Sequence, residues 1–124
     1  MSKALKYTFL VHAIVGLLTG LPLLIVPGRF LQILQWAPID PIAARVLGAA
    51  LLALSWSSFR GWQVTERRQV DIVVQLEAVF CVLASVALLR HLLVARFPIV
   101  PWLFFAVFFL FAIAWIYHLV RRAD

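Results

Sequence analysis

The chain has 124 residues, of which 65% are hydrophobic and 13% are charged, and its formal net charge is +6. Soluble domains contain about 45–50% apolar and about 25% charged residues, so this composition excludes a disordered chain and argues against a water-soluble enzyme. The basic residues lie in short clusters between long apolar runs, which is typical of membrane-protein loops and not of a nucleic-acid-binding surface. The single cysteine, Cys81, excludes an intrachain disulfide.

Four stretches of the sequence are long enough to cross the hydrocarbon core, which requires about 20 apolar residues. In chain order they are Leu5–Val26, Pro41–Arg60, Val70–Val94 and Pro98–Leu119. The first lacks a small-residue cleavage site after it, so we interpret it as a retained helix and not as a signal peptide. The sequence therefore predicts a single all-α domain over residues 1–124, built as an antiparallel four-helix transmembrane bundle.

The connections between these spans have recognisable turn chemistry. Pro27 and Gly28 end the first span, and Asp40 followed by Pro41 predicts a helix N-cap with proline at the first helical position. Residues 61–69 form the one strongly polar loop. Residues 27–36 have polar side chains at every third position, Arg29, Gln32 and Gln35, among apolar ones. This pattern fits either a short helix lying on the outer membrane surface or an apolar loop.

Basic residues are distributed unequally between the two ends of the spans. One side has seven Lys or Arg residues and the other has four, which predicts that both termini of an integral membrane protein lie in the cytoplasm. The side with seven comprises Lys3, Lys6, Arg60, Arg67, Arg68, Arg121 and Arg122. The outer side carries Arg29, Arg45, Arg90, His91 and Arg96, whose side chains either extend to the headgroups or form a pocket for an anionic lipid head or solute.

Small residues indicate how the helices pack, because apolar burial does not drive association within lipid. The first span contains Gly16-x-x-x-Gly20, and the second contains Ala44-x-x-x-Gly48 and Ala49-x-x-x-Ala53. We expect these two spans to meet along those faces within one chain, with self-association through Gly16-x-x-x-Gly20 as the alternative. The fourth span is rich in phenylalanine, which fits a lipid-facing helix or an aromatic wall for a flat apolar ligand such as a quinone.

Two ionisable residues inside the spans define a candidate intramembrane polar site. His12 and Glu77 each lie seven residues from the predicted cytoplasmic side, so they should share a depth of about 10 Å and face each other. Small or polar residues accompany them at helical spacing, namely Thr8, Gly16 and Thr19 on the first span and Cys81, Ala84 and Ser85 on the third. Ser55, Ser58, Tyr117 and His118 should approach the same region from the other two spans.

This pair has two interpretations. In the first, Glu77 pairs with His12, or reaches Arg60, Arg67 or Arg68, and only fixes helix register. In the second, His12 and Glu77 form a protonatable pair that lines a ligand or proton path. No metal-ligand spacing and no nucleophile or phosphate-loop motif occurs in the sequence, so we predict no catalytic residue and no metal. An acid–base enzyme acting on lipid, with His12 and Glu77, remains a third hypothesis.

The stretch from Pro38 to Ala50, PIDPIAARVLGAA, contains Arg45-x-x-Gly48 at the start of the second span. It resembles a segment of small uncharacterised four-span bacterial inner-membrane proteins, and the overall layout is similar to that of DoxX-like proteins. The resemblance implies a four-helix membrane fold and no particular activity.

The sequence as a whole favours a small carrier or an accessory subunit of a membrane complex. Its partners would then be the lipid bilayer and other membrane subunits, without nucleic acid and without a cofactor. The alternative is a quinone-, haem- or pigment-binding protein in electron transfer, which would use His12, His118 and the phenylalanine-rich span.

Overall fold

The computed structural model describes residues 1–36, 40–94 and 96–121. Over these residues the chain is all-α, with five helices. They are α1 (Lys3–Ile25), α2 (Pro27–Ile33), α3 (Pro41–Gln63), α4 (Arg67–Leu93) and α5 (Ile99–Val120). The four long helices coincide with the four predicted spans, and each is long and apolar enough to cross a membrane. Pro38 and Ile39 of the PIDPIAARVLGAA stretch, and the cation Arg122, lie outside the described residues.

Local side-chain chemistry explains where the helices begin. The Ser2 hydroxyl accepts a hydrogen bond from the Leu5 amide at 3.1 Å, which caps α1. The Asp40 carboxylate accepts the Ile42 amide at 2.8 Å, so the predicted cap in front of Pro41 is confirmed. Each cap satisfies a backbone donor that has no partner within its own helix.

The polar loop predicted at residues 61–69 is wrong in its extent. α3 continues to Gln63 and α4 begins at Arg67, so three residues separate the two helices. Gly61 is buried inside α3, where a Cβ atom added to this residue would lie 2.8 Å from the Phe9 ring. The absence of a side chain at Gly61 thus lets the Phe9 ring lie close to the α3 backbone, in a stretch that by composition alone resembles a loop.

The chain divides into two compact units, and the first comprises Lys6–Gln63. We call this unit the N-terminal hairpin. Phe9 lies near Gly61, Gly16 near Ser55, and Gly20 near Gly48, so α1 and α3 run antiparallel. The short helix α2 contacts α3 and buries Pro27 and Leu31, in line with the amphipathic helix proposed for this segment.

Glycines allow α1 and α3 to approach closely in the N-terminal hairpin. A Cβ atom on Gly48 would lie 2.7 Å from the backbone nitrogen of Leu24 and 2.8 Å from the carbonyl oxygen of Gly20. The predicted packing of Gly16-x-x-x-Gly20 on Ala44-x-x-x-Gly48 is therefore confirmed, and this glycine face is occupied within the chain.

The prediction for the second small-residue motif of α3 is wrong. Ala49 and Ala53 are exposed. The buried line of α3 follows spacings of three and four residues, and these spacings turn the second motif away from α1. That line consists of Ala44, Gly48, Leu51, Ser55, Ser58 and Gly61.

The second unit, Met1–Leu5 with Val64–Asp124, contains α4 and α5, which we call the C-terminal hairpin. Arg67 lies beside His118, and the Phe80 and Phe108 rings meet edge to face at 5.9 Å, so these helices also run antiparallel. α5 buries few side chains among its 22 residues, and most of its apolar surface faces outward. This exposure fits the lipid-facing role predicted for the phenylalanine-rich span.

The end of α2 carries a left-handed residue that is not glycine. Gln35 has a φ of 57°, the Trp36 amide bonds to the Leu31 carbonyl at 2.9 Å, and the Gln35 amide bonds to the Gln32 carbonyl at 3.0 Å. This pattern is a Schellman motif, in which glycine is the preferred residue at the left-handed position.

Gln35→Gly is therefore expected to raise the free energy of unfolding by about 1 kcal/mol, because glycine adopts the left-handed region without the cost of a Cβ atom. Gln32→Gly, three residues earlier and inside α2, is the matched control and should lower it by about 1 kcal/mol. Denaturation in detergent micelles, followed by circular dichroism, measures both changes. Equal effects of the two substitutions would contradict the assigned turn.

Candidate functional site

The His12 side chain is buried and hydrogen-bonded within the N-terminal hairpin. A hydrogen bond of 2.8 Å joins its Nδ1 atom to the Oγ atom of Ser58, and both side chains are buried. One turn away, the Ser55 hydroxyl donates to the Ala13 carbonyl. Polar side chains of α1 and α3 thus form hydrogen bonds across the interface between the two helices.

The sequence places Ser58 in the region of His12 without identifying it as the hydrogen-bonding partner. The signal is present in the helical phase, because Ser58 continues the line of Gly48, Leu51 and Ser55. Among the predicted companions of His12, Gly16 is buried, whereas Thr8 and Thr19 are half-buried. The Thr19 hydroxyl donates to the Val15 carbonyl of its own helix at 2.8 Å, so this hydrogen bond lies within α1 and does not link α1 to α3.

The polar stripe predicted on the third span is present in α4. Glu77 and Cys81 are fully buried, and Ser85 is nearly so. The Ser85 hydroxyl donates to the Cys81 carbonyl at 2.7 Å, and the Glu77 carboxylate and Cys81 thiol lie within 4.8 Å of each other. A carboxyl group so enclosed can bind a proton or cation that reaches it. The pairing of Glu77 with His12 stays a prediction.

The two polar residues near the end of α5 have different environments. His118 is buried, and its ring lies 6.4 Å from the Trp115 ring and 5.2 Å from the Tyr117 ring, centroid to centroid. Tyr117 is 48% exposed, so its side chain is not part of the buried polar residues of the C-terminal hairpin. The two are adjacent in sequence, and one helical step of about 100° separates their directions.

All five residues of the predicted outer anion site, Arg29, Arg45, Arg90, His91 and Arg96, are exposed. Arg45 has a structural partner, because its guanidinium donates to the Leu24 carbonyl at 3.0 Å. Leu24 lies in the last turn of α1, where carbonyl groups have no partner within the helix. Arg45 therefore caps the C-terminal end of α1, where the helix dipole favours a positive charge.

Arg67 has the equivalent role in the C-terminal hairpin, which the sequence did not reveal. Its side chain is only 10% exposed, it pairs with Asp71 at 3.2 Å, and it donates to the His118 carbonyl at 2.8 Å. His118 belongs to the last turn of α5. This arginine consequently ties the start of α4 to the end of α5.

Arg67→Gln is expected to lower the free energy of unfolding by about 1.5 kcal/mol, because it removes a charged donor from a partly buried carbonyl and from Asp71. The adjacent exposed residue provides the control, and Arg68→Gln should change the value by less than about 0.5 kcal/mol. Thermal unfolding of both variants in detergent measures the difference. Indistinguishable midpoints would show that the Arg67 contacts contribute nothing to stability.

An open apolar groove of about 210 Å³ lies between α4 and α5. Its walls include the Phe105 and Phe109 rings, which stack at 5.8 Å with an interplanar angle of 24°. Ser85 supplies a polar atom among otherwise apolar lining residues. The groove lies against the phenylalanine-rich span, and an aromatic wall for a flat apolar ligand stays a prediction.

Comparisons of this chain with protein-family models, with curated proteins and with solved structures gave no match. The resemblance to DoxX-like proteins accordingly stays a prediction. The geometry of the two hairpins is what bears on function.

Proposed function

We propose that this chain is a small integral membrane protein whose four long helices cross the bilayer, and that it acts as a carrier. Large apolar side chains cover the outer surface of each long helix, for example Leu18, Trp56, Leu83 and Leu110, each more than 60% exposed. Exposed apolar surface of this extent on a monomer indicates contact with lipid or with other subunits.

The observation that supports a carrier is the burial of Glu77 in the interior of α4. An ionisable residue inside a membrane helix costs about 2.5–3.5 kcal/mol on insertion scales, so it is by default a functional candidate. In this proposal Glu77 binds and releases a proton during transport. His12, held by Ser58, provides a second titratable group near the same predicted depth.

Infrared difference spectroscopy of the protein in lipid vesicles tests whether Glu77 exchanges protons. Changing the pH should produce a carbonyl band from a protonated carboxylic acid that disappears in Glu77→Gln. Glu66→Gln is the matched control, since Glu66 is exposed in the short connection before α4, and it should leave that band unchanged. If no band depends on Glu77, this residue exchanges no proton and the carrier proposal fails.

An accessory subunit is the second candidate, favoured by the sparse burial of α5. Among the residues of this helix, Pro101, Ala112, Trp115 and His118 are buried, so most of its aromatic surface is available to a neighbouring membrane helix. Gentle purification from native membranes tests this function. Stoichiometric recovery of another membrane protein supports a subunit, whereas recovery of the chain alone supports the carrier.

The electron-transfer alternative has one supporting observation, the α4–α5 groove with its stacked Phe105 and Phe109 rings. A quinone ring or pigment would lie against this aromatic wall. An absorption spectrum and an organic extract of the purified protein test this function. A Soret band, a pigment band or extractable quinone would favour it over the carrier.

We also propose that both termini lie in the cytoplasm of a bacterial cell. The excess of basic residues at the ends that carry the termini and the α3–α4 connection supports this orientation.

A further inference from the structure

A second apolar groove, of about 340 Å³, runs along the surface of the N-terminal hairpin. α1 contributes Leu10, Ile14 and Leu17, and α3 contributes Leu52, Trp56 and Phe59. The seven helical steps from Leu10 to Leu17 give the groove a length of about 10 Å parallel to the helices. An apolar channel that follows the helix axis matches the direction in which a lipid acyl chain lies.

Aromatic side chains mark one end of this groove. The Trp56 and Phe59 rings lie 6.1 Å apart, and the Phe59 and Trp62 rings lie 5.9 Å apart, which makes a continuous aromatic column along the last turns of α3. Tryptophan is enriched at the level of lipid headgroups. This end of the groove therefore belongs at the membrane–water interface, and the Leu17 end points toward the hydrocarbon core.

Cations lie one helical turn beyond the aromatic end of the groove. Lys6 precedes Leu10 by four residues, and Arg60 follows Trp56 by four, so each shares the helix face of a groove residue. Arg60 is exposed and donates to the Gln63 side chain at 2.8 Å. In the sequence of Lys6–Gln63 the single acidic residue is Asp40, which caps the opposite end of α3.

We propose that the α1–α3 groove binds one anionic phospholipid. An acyl chain occupies the groove, and the phosphate contacts Lys6 and Arg60 at its interfacial end. Charge complementarity selects an anionic head, because no carboxylate of the hairpin lies at that end to neutralise the two cations. The inference rests on the proposed membrane location of the chain and adds a specific ligand to it.

Native mass spectrometry of the detergent-solubilised protein, titrated with phosphatidylglycerol or phosphatidylcholine of equal chain length, tests the headgroup. The protein should bind one molecule of phosphatidylglycerol, and its affinity for phosphatidylglycerol should exceed its affinity for phosphatidylcholine. Lys6→Gln with Arg60→Gln should weaken phosphatidylglycerol binding about thirtyfold and leave phosphatidylcholine unchanged. The matched control is Arg68→Gln, an exposed cation on α4 that should have no effect.

Quenching by phosphatidylglycerol with brominated acyl chains tests the position of the tail. Quenching of tryptophan fluorescence should fall markedly in Trp56→Phe, since that ring lines the groove. Equal affinity for both lipids, no loss in the double variant, or unchanged quenching in Trp56→Phe would each overturn the inference. Failure of the protein to insert into vesicles would instead overturn the proposed membrane location.

Discussion

Gly48→Ala is expected to lower the free energy of unfolding by about 3 kcal/mol, although alanine is the better helix former. The added methyl group would lie 2.7 Å from the Leu24 nitrogen and 2.8 Å from the Gly20 oxygen. Both are backbone atoms, which cannot move away as a flexible side chain can. The substitution must therefore separate α1 from α3, and the packing around Gly20 is lost with it.

Gly28→Ala is the matched control for this prediction. A Cβ atom at Gly28 meets nothing within 4 Å, so the substitution should leave stability unchanged or raise it by a few tenths of a kcal/mol. Unfolding by increasing fractions of sodium dodecyl sulfate in mixed micelles measures both variants. A loss at Gly48 no larger than that at Gly28 would show that the two helices do not pack as closely as described.

His12→Leu should lower the free energy of unfolding by about 2.5 kcal/mol, because the buried Ser58 hydroxyl loses its hydrogen bond to the His12 ring. Ser58→Ala should cost about 1.5 kcal/mol for the converse reason. The double variant should then lose about 1 kcal/mol less than the sum of the single losses, because the hydrogen bond is removed only once. Strict additivity would contradict a hydrogen bond between these residues.

The same design tests the pairing of His12 with Glu77 that the sequence predicts. Here the double variant combines His12→Leu with Glu77→Gln. If the two side chains interact, its loss of unfolding free energy should differ from the sum of the two single losses by about 1 kcal/mol or more. Ser85→Ala serves as the control, because the Ser85 hydroxyl bonds within α4. Additive losses for His12 and Glu77 would show that each acts independently.

The features that the sequence predicted correctly have local causes. Asp40 and Pro41 begin α3 because a side-chain cap and a fixed φ act within one turn. The burial of Glu77, Cys81 and Ser85 follows from a periodicity that any helix imposes on its residues. The length of the apolar runs was enough to locate all four long helices.

The features that the sequence did not predict depend on contacts between distant residues. The contact of Gly61 in α3 with the Phe9 ring is one example, because these two residues lie far apart in sequence. The roles of Arg45 and Arg67 require knowing which helix end lies beside each guanidinium. Small-residue motifs are frequent in membrane helices, so spacing alone could not show that Ala44-x-x-x-Gly48 packs against α1 and that Ala49-x-x-x-Ala53 does not.

Cysteine accessibility in intact cells tests the membrane-spanning architecture most directly. On a Cys81→Ala background, single cysteines replace residues at both ends of each long helix: Ser2, Gln35, Thr65, Arg96 and Arg121. A membrane-impermeant maleimide should label Gln35→Cys and Arg96→Cys from outside, and the other three only after permeabilisation. Labelling of two successive positions from the same side would show that the helix between them does not cross the membrane. If Gln35→Cys and Arg96→Cys were labelled only after permeabilisation and the other three positions from outside, all four helices would still cross the membrane, but the termini would not be cytoplasmic.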